Sequence, residues 1–265
     1  MRADKRFSAI VLAADRGRDD PVAAAAGVAA KCLTPIAGVP MVVRVIRALQ
    51  ESACVDAILL CGPTAELLQE SPELGALVDG TRIRWMAPLN TPTASAAAAL
   101  GAFPETQPVL LTTGDHPLLR PDMVRHFLEQ ASAGGFDVAV ALAPHELVQH
   151  AYPRTRRTAL KFSDAHYCGC NLFAFLTPRG RGMVPLWKKV EDHRKQPIRV
   201  VGLVGWVAML LYALGILSLA GAMRRISRQT GLAAGAVIMP FPEAAIDVDS
   251  GADLDLAREI AARKP

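Results

Sequence analysis

Short, unbroken apolar runs alternate with segments of helical periodicity through the first half of the chain, the pattern of a parallel sheet covered by helices on both faces. Residues 7–14 (FSAIVLAA) have the length and type of a strand buried on both sides, and they run into a polar loop at 15–21. Further strands are expected at 56–61, 82–86, 109–113, 137–142 and 236–239. Helices are expected from Pro40 onward and over 64–69, 93–100, 121–131, 219–229 and 252–262, with Ser218 placed as an N-cap. With 265 residues, 51% of them hydrophobic, the chain can bury a large core, which excludes a disordered or linker-like protein. No repeat or Ser/Gly-rich linker divides it. The reading is one α/β domain over 1–265, Rossmann-like, with a mostly parallel sheet and a helical insertion near 180–230.

Charge is uneven. Residues 151–230 carry 14 Lys and Arg against 3 Asp and Glu, whereas the rest of the chain carries 15 against 22. A basic stretch within an acidic body suits an anionic partner, although a solvated basic face has the same composition. Nucleic acid is not expected, because the basic residues lack interleaved aromatics or a recognition helix. Residues 200–223 contain no charge and are long enough to cross a bilayer, but Gly202, Gly205, Gly215 and Ser218 punctuate them. Three readings stay open for this stretch: a buried helical subdomain, an interfacial helix pair giving peripheral membrane contact through 200–228, and a span. A homodimer interface over the same apolar surface is a further alternative.

The five cysteines offer only one close pair, Cys168 and Cys170, too tightly spaced for a zinc knuckle, and are read as reduced thiols. The first 14 residues lack the features of a secretory signal. The expected location is cytoplasmic, with membrane association as the alternative.

Ligands of an α/β sheet sit at the carboxyl ends of its strands, so Leu12, Ala13 and Ala14 and the loop carrying Arg16, Gly17 and Arg18 form a candidate phosphate cradle. An ordinary solvated turn would look the same. Beyond it come Lys31-Cys32-Leu33-Thr34-Pro35-Ile36-Ala37-Gly38-Val39-Pro40-Met41, then Gly114-Asp115-His116-Pro117-Leu118 at the end of a candidate strand, and Asp247-Val248-Asp249 near the C-terminus. In this order the three segments resemble the MobA-like nucleotidyltransferases, whose pattern runs Leu-Ala-x-Gly-x-Gly-x-Arg, Lys-x-Leu-x-Pro-Ile-x-Gly-x-Pro-Met, Gly-Asp-x-Pro-Leu and Asp-Val-Asp.

The resemblance implies a fold of the nucleotide-diphospho-sugar transferase type and an enzyme that moves a nucleoside monophosphate from a nucleoside triphosphate to a phosphorylated small molecule. Residues 1–142 would bind the nucleotide, and 143–265, with the apolar insertion 200–230, the acceptor. Mg²⁺ is the implied cofactor, held by Asp115 with Asp247 or Asp249; strand alternation puts those last two on one face. Lys31 would reach the triphosphate, Arg16 and Arg18 its outer phosphates, and Ser95 the base and ribose. Lys161, Asn171 and Arg157 would contact the acceptor. Asp253 is read as part of the last helix's first turn, and His116 and His166 as structural.

The chemistry agrees with this. Joining two polyanions calls for carboxylates to hold a hard cation and for Lys and Arg to screen phosphates. The chain departs from the pattern at Asp15 and Asp19, which replace the first loop Gly and the loop Arg, and it is read as a divergent subfamily. The alternatives are a non-catalytic nucleotide-binding homologue and a membrane-associated transferase acting on a lipid-precursor phosphate.

Overall fold

The computed structural model describes residues 6–14, 20–78, 80–187 and 206–263. The chain forms β1 (Phe7–Leu12), α1 (Pro21–Ala26), a 3-10 turn at Lys31–Leu33, the small hairpin β2 (Pro35–Ile36) and β3 (Val39–Pro40), α2 (Met41–Glu51), β4 (Val55–Cys61), α3 (Ala65–Glu70), α4 (Pro72–Leu77), β5 (Ile83–Met86) and α5 (Pro92–Gly101). It continues with β6 (Val109–Thr113), α6 (Pro121–Ala133), β7 (Val138–Pro144), α7 (His145–Ala151), β8 (Leu160–Lys161), β9 (His166–Phe175), α8 (Trp206–Ala213), α9 (Leu219–Thr230), β10 (Ala234–Ile238) and α10 (Gly251–Arg263).

The main sheet has the order β10-β7-β9-β6-β1-β4-β5, with β8 added to β9. Every pair along the main path is parallel except those of β9, which runs antiparallel to both β6 and β7. β1 supplies the centre because both its faces are apolar. Phe7, Ala9 and Val11 enter the core that holds α2 and α6, while Ile10 enters the opposite core, with Ala96 and Ala99 of α5. β9 reads differently: Cys168, Cys170, Leu172 and Ala174 are buried, with more exposed residues between them. The strands expected from apolar runs do not include this one, and the antiparallel place of β9 inside a parallel sheet comes from pairing alone.

From β1 the chain builds outward to β4 and β5, then returns to lay β6 on the other side of β1. The crevice at this reversal is where an open α/β sheet binds ligands. Two hydrogen bonds fix its floor: Ala13 N–H donates to Cys61 O at 2.8 Å and Gly114 N–H to Leu12 O at 2.8 Å. Gly62 closes it from below. Its φ is +87°, and a Cβ there would lie 2.9 Å from Ala14 N, so a side chain is excluded both by backbone conformation and by space.

Between β9 and β10 the chain leaves the sheet, and both necks of this excursion meet at Asp137. Its carboxylate accepts from Thr177 Oγ1 and, at 2.8 Å, from Ala233 N–H; its backbone carbonyl accepts from Leu176 N–H at 2.9 Å. The hydroxyl and amide donors hold the Asp137 carboxyl below its usual range.

The apolar stretch 200–223 is described only from residue 206. There α8 ends at Ala213, Gly215 turns the chain at φ +69°, and Ser218 caps α9, its Oγ accepting from Gly221 N–H at 3.1 Å. Among the described residues no helix is long and apolar enough to cross a membrane. Ser218 and α9 stand where the sequence puts them.

Candidate functional site

Asp115 emerges just beyond β6, at the carboxyl end of the sheet. Val248 N–H donates to the Asp115 carbonyl at 2.9 Å, which draws the extended 246–250 segment alongside. Lys31, opening its 3-10 turn, points its ammonium between two carboxylates: Asp115 Oδ2 at 2.7 Å and Asp249 Oδ1 at 2.6 Å. Burial opposes the charge on Lys31, but the two carboxylates outweigh it and raise the pKa. The second Asp115 oxygen, Oδ1, is buried and finds no hydrogen-bond partner among the described residues.

Asp247, beside them, has its own partners. Its carboxylate accepts from the Arg157 guanidinium and, at 2.8 Å, from Asn171 Nδ2; Arg157 Nη2 also donates to the Asp247 carbonyl at 2.6 Å and pairs with Asp253 Oδ1 at 3.0 Å. Burial pushes the Asp247 carboxyl up; Arg157 pulls against it, and the charges of Asp249 and Asp115 add to the rise. Asp253 also takes the Ser250 hydroxyl at 2.7 Å and receives Asp249 N–H at 3.3 Å, ordering the start of α10.

The bulge in β9 explains how Asn171 reaches this cluster. On β7, Val140 pairs with Phe173 and Leu142 with Gly169, so one residue of β7 lies opposite three of β9. Asn171 sits in that excess with φ +50° and its amide turned out of the ladder.

The structure therefore brings Lys31, Asp115, Asp249, Asp247, Arg157 and Asn171 together, although the sequence expectation for Arg157 and Asn171 was the acceptor. Both are committed to Asp247, and Arg157 ties Asp247 to Asp253. Lys161 lies on the edge strand β8, exposed, its N–H donating to Tyr212 Oη at 3.0 Å; its ammonium forms no ion pair with the described residues. Ser95 is buried, and its Oγ accepts from Leu89 N–H at 2.9 Å, fixing the loop before α5, while Thr91 caps that helix. Leu12 and Ala13 belong to the sheet floor and Ala14 stands exposed above it. Arg16, Gly17 and Arg18, with Asp15 and Asp19, lie outside the described residues.

One support had no sequence signal. Glu243, buried in the 3-10 turn Pro242–Ala245, accepts from Tyr152 Oη at 3.0 Å and lies 3.4 Å from Arg120. Its carbonyl meets His116 Nε2 at 3.4 Å, and burial holds that imidazole neutral, with a pKa of about 4. The network braces the turn that leads into Asp247. His166 stacks edge-on against His145.

Among the described residues, four carboxylates, Asp115, Asp247, Asp249 and Asp253, meet two cations, Lys31 and Arg157. The site thus keeps an excess of negative oxygen, a hard-donor set matched to a divalent cation. Among the described residues no three His, Cys, Asp or Glu side chains are grouped as a ready-made metal cage. The metal-side fit rests instead on the oxygen donors and on the partnerless Asp115 Oδ1.

A switch-point crevice walled by such carboxylates and a lysine, in a sheet of this order, defines an α/β transferase of the nucleotidyl type. The chain belongs to the MobA-like NTP transferase domain family, whose pattern matches residues 9–231. It is similar to a hypothetical transferase from Thermus thermophilus, 32% identical, with a TM-score of 0.77 over 94% of this chain and 99% of the other. A 137-residue stretch is 31% identical to the bifunctional protein GlmU of Geobacter metallireducens, covering 51% of this chain but 27% of that protein. In fold it resembles 4-diphosphocytidyl-2C-methyl-D-erythritol synthase from Anaerococcus prevotii, TM-score 0.58 at 12% identity over 98% of this chain and 100% of that one.

Proposed function

We propose that the protein transfers a nucleoside monophosphate from a nucleoside triphosphate to the phosphate of a small-molecule acceptor and releases pyrophosphate, with Mg²⁺ as cofactor. Residues 1–142 take the nucleotide and 143–265 the acceptor. The observation that carries this reading is the convergence of Asp115, Asp249 and Lys31 at the reversal of strand order, with Asp247 held beside them. An acceptor phosphate oxygen attacks the α-phosphorus, its bond to the β-phosphate oxygen breaks, and pyrophosphate leaves. The nucleophile is already ionised near neutral pH, so the chain supplies no general base.

Asp115 with Asp249 or Asp247 would hold the metal, which when bound supplies charge stabilisation at the phosphoryl oxygens. Lys31 neutralises phosphate charge. Arg157 and Asn171 orient Asp247. Pyrophosphate release from CTP, GTP, UTP and ATP, each with Mg²⁺ and a pool of sugar, polyol and lipid-precursor phosphates, tests the proposal. Asp115→Asn, which keeps the side-chain shape, is expected to lower turnover by about a hundredfold or more. No release with any nucleotide, or near-normal turnover in that variant, refutes it.

A second reading concerns the acceptor. Leu210 in α8 and Leu214 and Ile216 at the turn after it are 51%, 61% and 60% exposed, and Arg224, Arg225 and Arg228 follow on α9. This surface supports docking on anionic lipid and a lipid-precursor phosphate as acceptor. Sedimentation with phosphatidylserine vesicles decides it, since Leu214→Glu with Ile216→Glu should abolish co-sedimentation.

A further inference from the structure

The ammonium of Lys31 stands in contact with both carboxylates that the proposed function gives to the metal. It donates to Asp115 Oδ2 and Asp249 Oδ1 at 2.7 and 2.6 Å, from a side chain only 14% exposed. A divalent ion held at about 2.1 Å by these two carboxylates, through the oxygens that Lys31 bonds or through the partnerless Asp115 Oδ1, would stand within a few ångströms of the ammonium, so like charge sets the two against each other. Taking the ammonium away without replacement is also unfavourable, because it leaves the Asp115 and Asp249 carboxylates, both within 2.7 Å of it, without that cation. The lysine has a long flexible stem and a compact charge, which suits it to leave one anionic partner for another.

We propose that Lys31 is the resident cation of the seat formed by Asp115 and Asp249, and that a divalent ion enters this seat together with a nucleoside triphosphate, whose phosphates receive the displaced ammonium. The lysine thereby couples the two ligands: nucleotide tightens the ion, and the ion tightens nucleotide by the same factor. A nucleotide-free protein keeps its carboxylates neutralised by its own side chain. The inference rests on the proposed function for the identity of the two ligands, and its test is independent of turnover.

The experiment is Mn²⁺ binding, followed by loss of the free-ion paramagnetic resonance signal near neutral pH. It compares wild type, Lys31→Met and Lys31→Gln, each alone and with the α,β-methylene analogues of the four ribonucleoside triphosphates. Without nucleotide, both variants are expected to bind Mn²⁺ about tenfold or more tighter than wild type. An analogue should tighten wild-type binding by a comparable factor and the variants' binding much less. The glutamine variant keeps a polar head of similar reach, and thermal melting identifies whichever variant is folded. Equal Mn²⁺ affinity of wild type and a folded variant in the absence of nucleotide, or weaker affinity in the variant, overturns the proposal. A wild type that releases pyrophosphate yet fails this test keeps the proposed function and loses the exchange. One that passes while releasing none keeps the exchange and loses the transfer reaction.

Discussion

Replacing Arg157 by Met would leave the carboxylate of Asp247 buried with Asn171 as its remaining side-chain donor among the described residues. The guanidinium is only 10% exposed and lies between Asp247 and Asp253, themselves 24% and 14% exposed. Removing one partner of a buried pair costs about 3–5 kcal/mol, well above the ~1 kcal/mol of an exposed one. For a domain of this size that lowers Tm by about 10 °C.

The loss should depend on pH, with a definite sign. Burial already raises the Asp247 pKa above its ordinary 3.8, and Arg157 is the cation that opposes the rise. A folded-state pKa above the unfolded value means that the folded protein binds the proton more tightly, so stability falls as pH climbs from 3.8 through the raised value. Without Arg157 that window widens upward, at roughly 1.4 kcal/mol for each further pKa unit. The deficit of Arg157→Met relative to wild type is therefore largest near neutrality and shrinks on acidification, as Asp247 becomes a neutral acid. Urea unfolding followed by circular dichroism, near pH 7 and near pH 5, measures both quantities. A loss below about 1 kcal/mol, or the same loss at both pH values, would refute the burial argument.

Three further outcomes follow from the packing. Gly62→Ala, forced to carry a Cβ 2.9 Å from Ala14 N at φ +87°, should cost more than the ~1 kcal/mol of an unstrained glycine exchange, and a thermal melt several degrees below wild type checks it. Asp137→Ala should destabilise by about 2–3 kcal/mol in denaturant titration, since it strips partners from Thr177 and Ala233. Because the Asp137 carboxyl is held below its ordinary 3.8, its contribution is present above that pH and fades as pH falls through the lowered value, so the gap between variant and wild type closes in acid. Burial pushes the Cys61 thiol up to about 12 and raises Cys168 and Cys170 as well; a thiol reagent at mildly alkaline pH should label half-exposed Cys54 first and the four buried thiols, Cys32 included, only after unfolding.

The central strands were legible because their signal is local. An apolar run such as residues 7–12 states its own burial on both faces, and Gly114 and Asp115 follow the next such run directly. Ser218 and the start of α9 were legible for the same reason, a side chain capping its own helix. What escaped is non-local. Nothing near Arg157 says that it will meet a carboxylate 90 positions away, and its composition reads equally as a phosphate contact. Asn171 acquires its aim from a bulge that exists only once β9 is paired with β7. Ser95 was expected at the nucleotide, and its hydroxyl also holds the loop at Leu89, a contact set by loop geometry that residue type does not encode. Lys31, Asp115, Asp247 and Asp249 were found as a set through motif order, but their mutual contacts come from folding alone.

Asp137 is where both necks of the stretch between β9 and β10 return to the sheet, but it is not their sole tie. The Arg181 guanidinium donates to the carbonyls of Leu100, Phe103 and Gln107, Ser163 N–H donates to the Leu217 carbonyl, and Leu219 N–H donates to the Asp164 carboxylate. A foreign segment spliced in at Thr177 and Ala233 would therefore have to return a guanidinium to the end of α5 and a capped helix to Asp164 as well as a hydroxyl and an N–H to Asp137, so the trait carried by this stretch is tied to the sheet that bears the carboxylates.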